Sequence, residues 1–323
     1  MKIKELEIPV IVHKLQALSE RMKDSSSKLP HVKSDLSKFL SGYNGEKSLE
    51  FHLTFLQNDL YHILHDVRLH DGERFFQIDV LIISPFFAVI AEVKNLSGHI
   101  TFDGKFSQLI QTKNGQERAF PDPLLQVQRQ ITQFRAWLKK SSLPQVPLHG
   151  MIVMSNPYSV LTSTDYEADN LIVKPPSLLS SIDTIKKQYD KPFISQKELK
   201  KLTKQILIQH ELDERPILDR YGLERTDIIN GVFCPECKSF PMRRIYKYWT
   251  CPKCSCRSTS AHLSALKDYY LLFGKTITSK QLREFLMIDS YQLATRLLQS
   301  TPHLTKSGHY KSTVYTISEQ IYL

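Results

Sequence analysis

Two Cys-x-x-Cys pairs late in the chain constrain its fold more than any other feature: Cys234-Pro235-Glu236-Cys237 and Cys251-Pro252-Lys253-Cys254, with 13 residues between them. Four thiolates so spaced can enclose Zn²⁺ tetrahedrally, and a site closed by four protein ligands is structural rather than catalytic. Cys256 stands near enough to replace Cys254, but symmetry with the first pair favours Cys254. The chain has 5 cysteines, an odd number. Metal ligation in a reducing compartment therefore fits better than a disulfide framework, and the expected location is the cytoplasm. The redox chemistry of an isolated Cys-x-x-Cys fits two matched pairs poorly.

Between the pairs, Arg243-Arg244-Ile245-Tyr246-Lys247-Tyr248-Trp249 reads as a basic, aromatic strand, and the whole stretch resembles a zinc ribbon. Such a unit can be a mere stabilising staple. Its basic aromatic strand also suits phosphates and bases, with Arg243, Arg244 and Lys247 as the contacting residues. Charge points the same way. The chain's formal net charge is +10. From Cys234 to the end there are 13 Lys/Arg and 5 Asp/Glu, so 13 − 5 = +8 of it lies in this tail. A compact basic region attracts polyanions, nucleic acid first among them, although a solubilising surface has the same composition. Beyond the ribbon, helical periodicity over 261–273, 279–287 and 290–299, followed by alternation over 305–317, is the order of a winged helix. Its recognition helix would be 291–299, with Arg296 toward DNA and Lys306 and Lys311 on phosphates. A helical partner-binding module remains the alternative.

The remainder reads as a mixed α/β core. Helical intervals over 4–40 are broken at Asp24 and Pro30, and a further helical face spans 46–56. Strands are expected at 61–69, 75–84, 86–94, 100–102, 106–112, 148–154 and 171–174, with the second and third antiparallel. Helices are expected at 124–140, 177–188 and 195–209. The expected division is an N-terminal helical segment 1–41, an α/β domain 42–190, a helical linker 191–230, the ribbon 231–258 and a winged-helix-like domain 259–323. The longest apolar runs, 80–83 and 85–91, are strand-length and too short to span a bilayer, and the charged first residues do not read as a signal peptide.

Within the α/β part, three charged residues interrupt apolar strands. Asp79 lies in Gln77-Ile78-Asp79-Val80-Leu81-Ile82, and Glu92 and Lys94 close Ala91-Glu92-Val93-Lys94-Asn95. Strand alternation puts Glu92 and Lys94 on one face, and a hairpin brings Asp79 beside it. Two carboxylates can hold Mg²⁺ or Mn²⁺, and a lysine can orient water or stabilise developing charge. Glu50, on the preceding helix, would add a carboxylate. A Glu-x-Lys pair is also a common exposed ion pair. It is the joint placement of three charges in apolar strands, where unpaired charge is costly, that favours a site. His62, His65, His70 and His99 share no ligand spacing and read as structural.

These segments resemble the nuclease-related domain (NERD), a member of the PD-(D/E)xK nuclease-like group. The resemblance rests on Gly45-Glu46-Lys47-Ser48-Leu49-Glu50, Gln77-Ile78-Asp79, Glu92-Val93-Lys94-Asn95, Gly98 and Asp122-Pro123-Leu124-Leu125-Gln126. It implies a restriction-endonuclease-like α/β fold, and Glu50, Asp79, Glu92, Lys94 and Gln126 as the catalytic set. Asp79 and Glu92 would hold Mg²⁺, and DNA would be the substrate. Two departures touch the substrate side: Asp122-Pro123 replaces the family's Asn-Pro, and its tryptophan after the glycine motif is absent. The implied function is a metal-dependent nuclease targeted by its tail. The alternative is a nucleic-acid-binding or regulatory protein whose nuclease-like domain does not cut.

Overall fold

The computed structural model describes residues 1–56, 59–309, 313–318 and 321. The chain forms two compact units, Met1–Ile8 with Phe39–Leu212, and Pro9–Lys38 with Asp213–Leu323. Strand β1 (Lys2–Lys4) opens the first unit, helix α1 (Val10–Arg21) belongs to the second, and α2 (Leu29–Lys47) begins in the second and ends in the first. The expected separate segment 1–41 is therefore shared between the two units. Pro30 does not break a helix; it sits in the first turn of α2, where the missing N–H has no helical partner to lose.

The first unit continues through α3 (Glu50–Leu53), β2 (His62–His70), β3 (Phe75–Ile83), β4 (Ala88–Lys94), β5 (His99–Asp103), β6 (Gln108–Lys113), β7 (Gln116–Pro121), α4 (Pro123–Lys140), β8 (Leu148–Met154), β9 (Val160–Thr164), β10 (Ile172–Val173), α5 (Leu178–Lys186) and α6 (Gln196–Gln209). The central sheet has the order β1-β2-β3-β4-β8-β10. β2, β3 and β4 form an antiparallel meander, while β8 returns parallel to β4 after the α4 crossover. One face of the sheet packs on α4 and α6 through Phe134, Trp137, Leu138, Leu199, Leu202 and Ile206. The other packs on α3 and α5 through Leu49, Leu53, Leu178 and Ile182. Helices on both faces of a mixed sheet make this an α/β unit. A second sheet, β7-β6-β5-β9, shares a cluster with β8 and α4 that includes Ile100, Phe102, Val127 and Ile152.

Two expectations change here. The supposed linker 191–230 contains α6, which is capped by Ser195 and Glu198 in a reciprocal box and buries Leu199, Leu202 and Ile206 in the sheet core. The helix expected over 46–56 is two pieces, because α2 stops at Lys47 and α3 starts at Glu50. Among the described residues no helix is long and apolar enough to cross a membrane.

The second unit holds α1, the start of α2, α7 (Ile217–Arg220), a small sheet β11-β12-β13 (Arg243–Ile245, Tyr248–Thr250, Arg257–Ser258) and a C-terminal module. That module runs α8 (Ala261–Phe273), β14 (Thr276–Ile277), α9 (Ser279–Leu286), α10 (Tyr291–Ser300), β15 (Leu304–Ser307) and β16 (Val314–Ile317). Its antiparallel strands lie in the order β14-β16-β15. At the centre of the unit is Arg21, 1% exposed. It pairs with Asp268 at 2.8 Å, donates to the carbonyls of Ile229 and Gly231, and lies between the rings of Phe233 and Phe285.

Candidate functional site

The acidic site begins where the β3–β4 ladder ends. The last registered pair toward that end is Val80 with Ala91. Beyond it Asp79 replaces the ladder with its side chain, Oδ2 accepting the N–H of Val93 at 2.9 Å. Glu92 follows on the face opposite Val93 and is 3% exposed. A carboxylate that deep needs partners. Its Oε1 accepts from Lys94 Nζ at 2.7 Å, and its Oε2 from Gln130 Nε2 at 2.8 Å. Lys94 Nζ also donates to Gln126 Oε1 at 3.0 Å. Gln126 and Gln130 are one turn apart on α4, so a single helix face serves both members of the Glu-x-Lys pair. The start of α4 is fixed by Asp122, whose Oδ1 caps Leu124 N at 2.9 Å and accepts from Tyr166 Oη at 2.6 Å.

On the helical side the carboxylate that feels the charges of Asp79 and Glu92 is Glu46. Burial, and then the charges of Asp79, Asp66 and Glu92, raise the pKa of Glu46 to about 9. Burial and the Glu92 charge raise that of Asp79 to about 8, against the opposing pull of the Val93 N–H and of Lys94. Glu50 is engaged elsewhere, by Lys2 Nζ at 2.9 Å and with His65 Nε2 at 3.8 Å. The reason is the break after Lys47, which puts Glu50 on a different helix from Glu46. Gly45 sets the approach of α2, since a Cβ there would stand 2.7 Å from Asn95 Cβ and 2.8 Å from Ser155 Oγ. Asn95 ties the corner, donating to Ser41 O at 2.8 Å and accepting from Asn156 Nδ2 at 3.1 Å.

The structure thus brings together Asp79, Glu92, Lys94 and Gln126, and adds Glu46, Asp66 and Gln130. Asp66 lies on β2 in a left-handed conformation, φ 48°, and accepts Gln77 Nε2 at 2.6 Å. Gln130 carried a sequence signal, four residues after Gln126 on a helix; Asp66 carried none. As a metal site the donor set is chemically apt, because Glu46 and Asp79, both of raised proton affinity, stand with Glu92 as clustered carboxylates of the kind a divalent cation relieves. The histidines are mostly built into the fold: His62 Nδ1 meets Thr203 Oγ1 at 3.2 Å, His99 Nε2 meets Thr162 Oγ1 at 3.0 Å, and His70 Nδ1 accepts from Gly72 N at 3.2 Å. His65 is fully buried, with neither ring nitrogen hydrogen-bonded among the described residues.

In the second unit the ligand atoms of Cys234, Cys237, Cys251 and Cys254 all lie within 4.8 Å of one another and could hold a metal ion. The two pairs have the same local geometry. Lys238 N donates to Cys234 O and Ser255 N to Cys251 O, both at 3.0 Å, and Lys238 and Ser255 are both left-handed at φ 59°. Cys256 is outside the cluster, and its carbonyl accepts the Cys251 N–H at 2.9 Å. The Ser239 hydroxyl and the amides of Cys254 and Lys253 turn toward Cys251 Sγ and lower its pKa, while that of Cys254 is raised. The arrangement fits a zinc ribbon. Arg243 and Lys247 are exposed on it, while Arg296 on α10 and Lys306 on β15 are exposed on the C-terminal module. Lys311 lies outside the described residues.

No curated protein and no solved structure matches the chain. The family model of the nuclease-related domain matches residues 41–155, a span that begins at the end of α2 and closes just after β8. That span, which the nuclease-related domain model matches, contains Glu46, Asp66, Asp79, Glu92, Lys94, Gln126 and Gln130.

Proposed function

We propose that the domain hydrolyses phosphodiester bonds of nucleic acid, DNA foremost, using Mg²⁺ or Mn²⁺ held by Asp79, Glu92 and Glu46. The observation that carries this reading is the meeting of these carboxylates around Lys94, with Glu46 and Asp79 both raised in proton affinity by burial and by their neighbours' charge. Held there by Asp79, Glu92 and Glu46, a divalent cation would supply charge for the scissile phosphate and acidity for a water. Lys94 has three N–H donors and spends two, on Glu92 and Gln126. The third is left for a phosphate oxygen or for the attacking water. Gln126 fixes the direction of the ammonium group, and Gln130 fixes Glu92 through its second oxygen. Glu50, held by Lys2, supports the fold of this edge.

The C-terminal module has the element order of a winged helix, with α10 in the place of a recognition helix. Together with the ribbon it would deliver the polyanion, through Arg243, Arg244, Lys247, Arg296 and Lys306. The test is cleavage of labelled single- and double-stranded DNA with Mg²⁺ or Mn²⁺, comparing the full chain with folded Lys94→Ala and Asp79→Asn variants. Metal-dependent cutting by the parent alone supports the reading. Salt-sensitive binding without cutting by any of the three overturns it.

A further inference from the structure

The two faces of the β11-β12-β13 sheet are unlike. Register sets Arg244, Trp249 and Ser258 side by side across the three strands. This face is turned inward, for Trp249 is fully buried and stacks against His262 of α8 at 27°. Alternation puts Arg243 and Ile245 of β11, Tyr248 and Thr250 of β12 and Arg257 of β13 on the other face. There Thr250 pairs with Arg243 on one side and Arg257 on the other, so the backbones of the two arginines stand roughly 10 Å apart across the middle strand. The next row toward the hairpin is Ile245 with Tyr248, and Lys247 Nζ lies 5.5 Å from the centre of the Tyr248 ring. Arg243, Ile245, Lys247 and Arg257 are all exposed.

The turn that joins β11 to β12 carries Tyr246, 95% exposed and left-handed at φ 51°. Glycine or asparagine is the ordinary choice for such a backbone, and a ring so exposed forgoes the burial that usually favours an aromatic residue. Neither the turn nor the packing of the ribbon therefore explains the tyrosine. From Arg243 to Ser258 the chain has 5 Lys/Arg and no Asp/Glu. Rings set among cations, in a stretch without acidic residues, complement a polyanion whose bases are open to stacking. In a duplex the bases stack on one another, whereas an unpaired base offers its flat face to a ring.

We propose that this outer face is a platform for single-stranded nucleic acid, with Tyr246 stacking on an unpaired base and Arg243 and Arg257 holding phosphates of the same strand. The inference rests on the nucleic-acid reading above and deepens it: the ribbon selects unpaired strand and directs the chain to single-stranded tracts rather than to uninterrupted duplex. Ile245 and Tyr248 form the row between the stacked base and the two arginines, and Lys247 adds a phosphate contact beside it.

The test is equilibrium binding by the full chain in a Lys94→Ala background, read by fluorescence anisotropy with a labelled thymidine oligomer and with a labelled duplex of equal length. Tyr246→Ala should weaken binding of the single strand about tenfold, the loss of one stacked base, and leave duplex binding unchanged. The salt dependence of single-strand binding should stay as it was, because the lost side chain is neutral. Tyr246→Trp should restore the affinity. Arg243→Gln and Arg257→Gln should each weaken the single strand and reduce its salt slope by about 0.7. The melting temperature of Tyr246→Ala should match that of the background protein, since so exposed a ring contributes little to the fold. Unchanged single-strand affinity in Tyr246→Ala, or an equal loss on both probes, would overturn the platform and leave the nucleic-acid reading standing. Binding of neither probe by the background protein would refute that reading, and the platform with it.

Discussion

Glu46 and Asp79 are acids that the fold keeps protonated, and this has a direct consequence for pH dependence. Their folded pKa values, about 9 and about 8, are raised by burial and by neighbouring carboxylates above the ordinary carboxylate range. The folded state therefore retains protons that the unfolded chain has released above about pH 4.5. The stability linked to these protons is fully present below that pH, and is withdrawn progressively until pH passes the folded values. Metal-free protein should melt at lower temperature at pH 8.5 than at pH 6, by roughly 1 kcal/mol per pH unit for each linked proton. Mg²⁺ has to displace the same protons, so the stabilisation it confers should grow over that interval. Asp79→Asn should flatten the pH dependence and abolish the Mg²⁺ response; calorimetry at the two pH values measures both. At this scale the sequence showed Asp79, Glu92 and Lys94 because charges stand out in apolar strands. It pointed to Glu50 on the helical side, whereas the charges of Asp79 and Glu92 act on Glu46, one turn earlier and separated from Glu50 by the break at Lys47.

Elements act here as rulers, with α2 and α4 holding the site from opposite approaches. α2 can come close only at a residue without a side chain, and Gly45 provides it. Alanine at an ordinary helix position would stabilise by about 1 kcal/mol. At Gly45 the same change should destabilise by about 1–3 kcal/mol, because the new Cβ overlaps Asn95 and Ser155. Urea denaturation of Gly45→Ala gives the sign. On α4, Gln126 and Gln130 separate function from stability. Gln130 is 4% exposed and serves both Glu92 and the Gln77 carbonyl, so Gln130→Leu should cost about 2–3 kcal/mol by leaving buried acceptors unpaired. Gln126 is half-buried with one hydrogen bond to lose, so Gln126→Ala should cost only about 1 kcal/mol, yet lower turnover by loosening Lys94. The long strands and α4 were legible because their periodicity is strong. β1, β7 and β14 were not: two are only two or three residues long, and β7 is polar and largely exposed, paired by backbone rather than by a buried face.

At the scale of the whole molecule, chain order and packing order differ. The second unit is assembled from Pro9–Lys38 and Asp213–Leu323, pieces that no local sequence pattern joins. Arg21 is the joint. Its guanidinium satisfies two carbonyls and the Asp268 carboxylate while filling the space between two phenyl rings, so it contributes charge, hydrogen bonds and volume at once. Asp268 is itself pushed up by burial and depends on Arg21 to stay ionised. Arg21→Ala should therefore cost about 3–5 kcal/mol, the scale for stranding one member of a buried ion pair. Arg21→Lys should recover only part of this, because one ammonium cannot reach all three acceptors. The combined change Arg21→Met with Asp268→Leu should do better than either alone, since it removes both buried charges and keeps the volume. Guanidinium unfolding of Arg21→Ala, Arg21→Lys, the two single changes Arg21→Met and Asp268→Leu, and their combination orders them. A fragment beginning at residue 213 lacks Arg21 altogether and should unfold with Arg21→Ala rather than with the parent. If that fragment instead kept the parent's stability, Arg21 would be a passenger, and the N-terminal helices an addition to a self-sufficient C-terminal module.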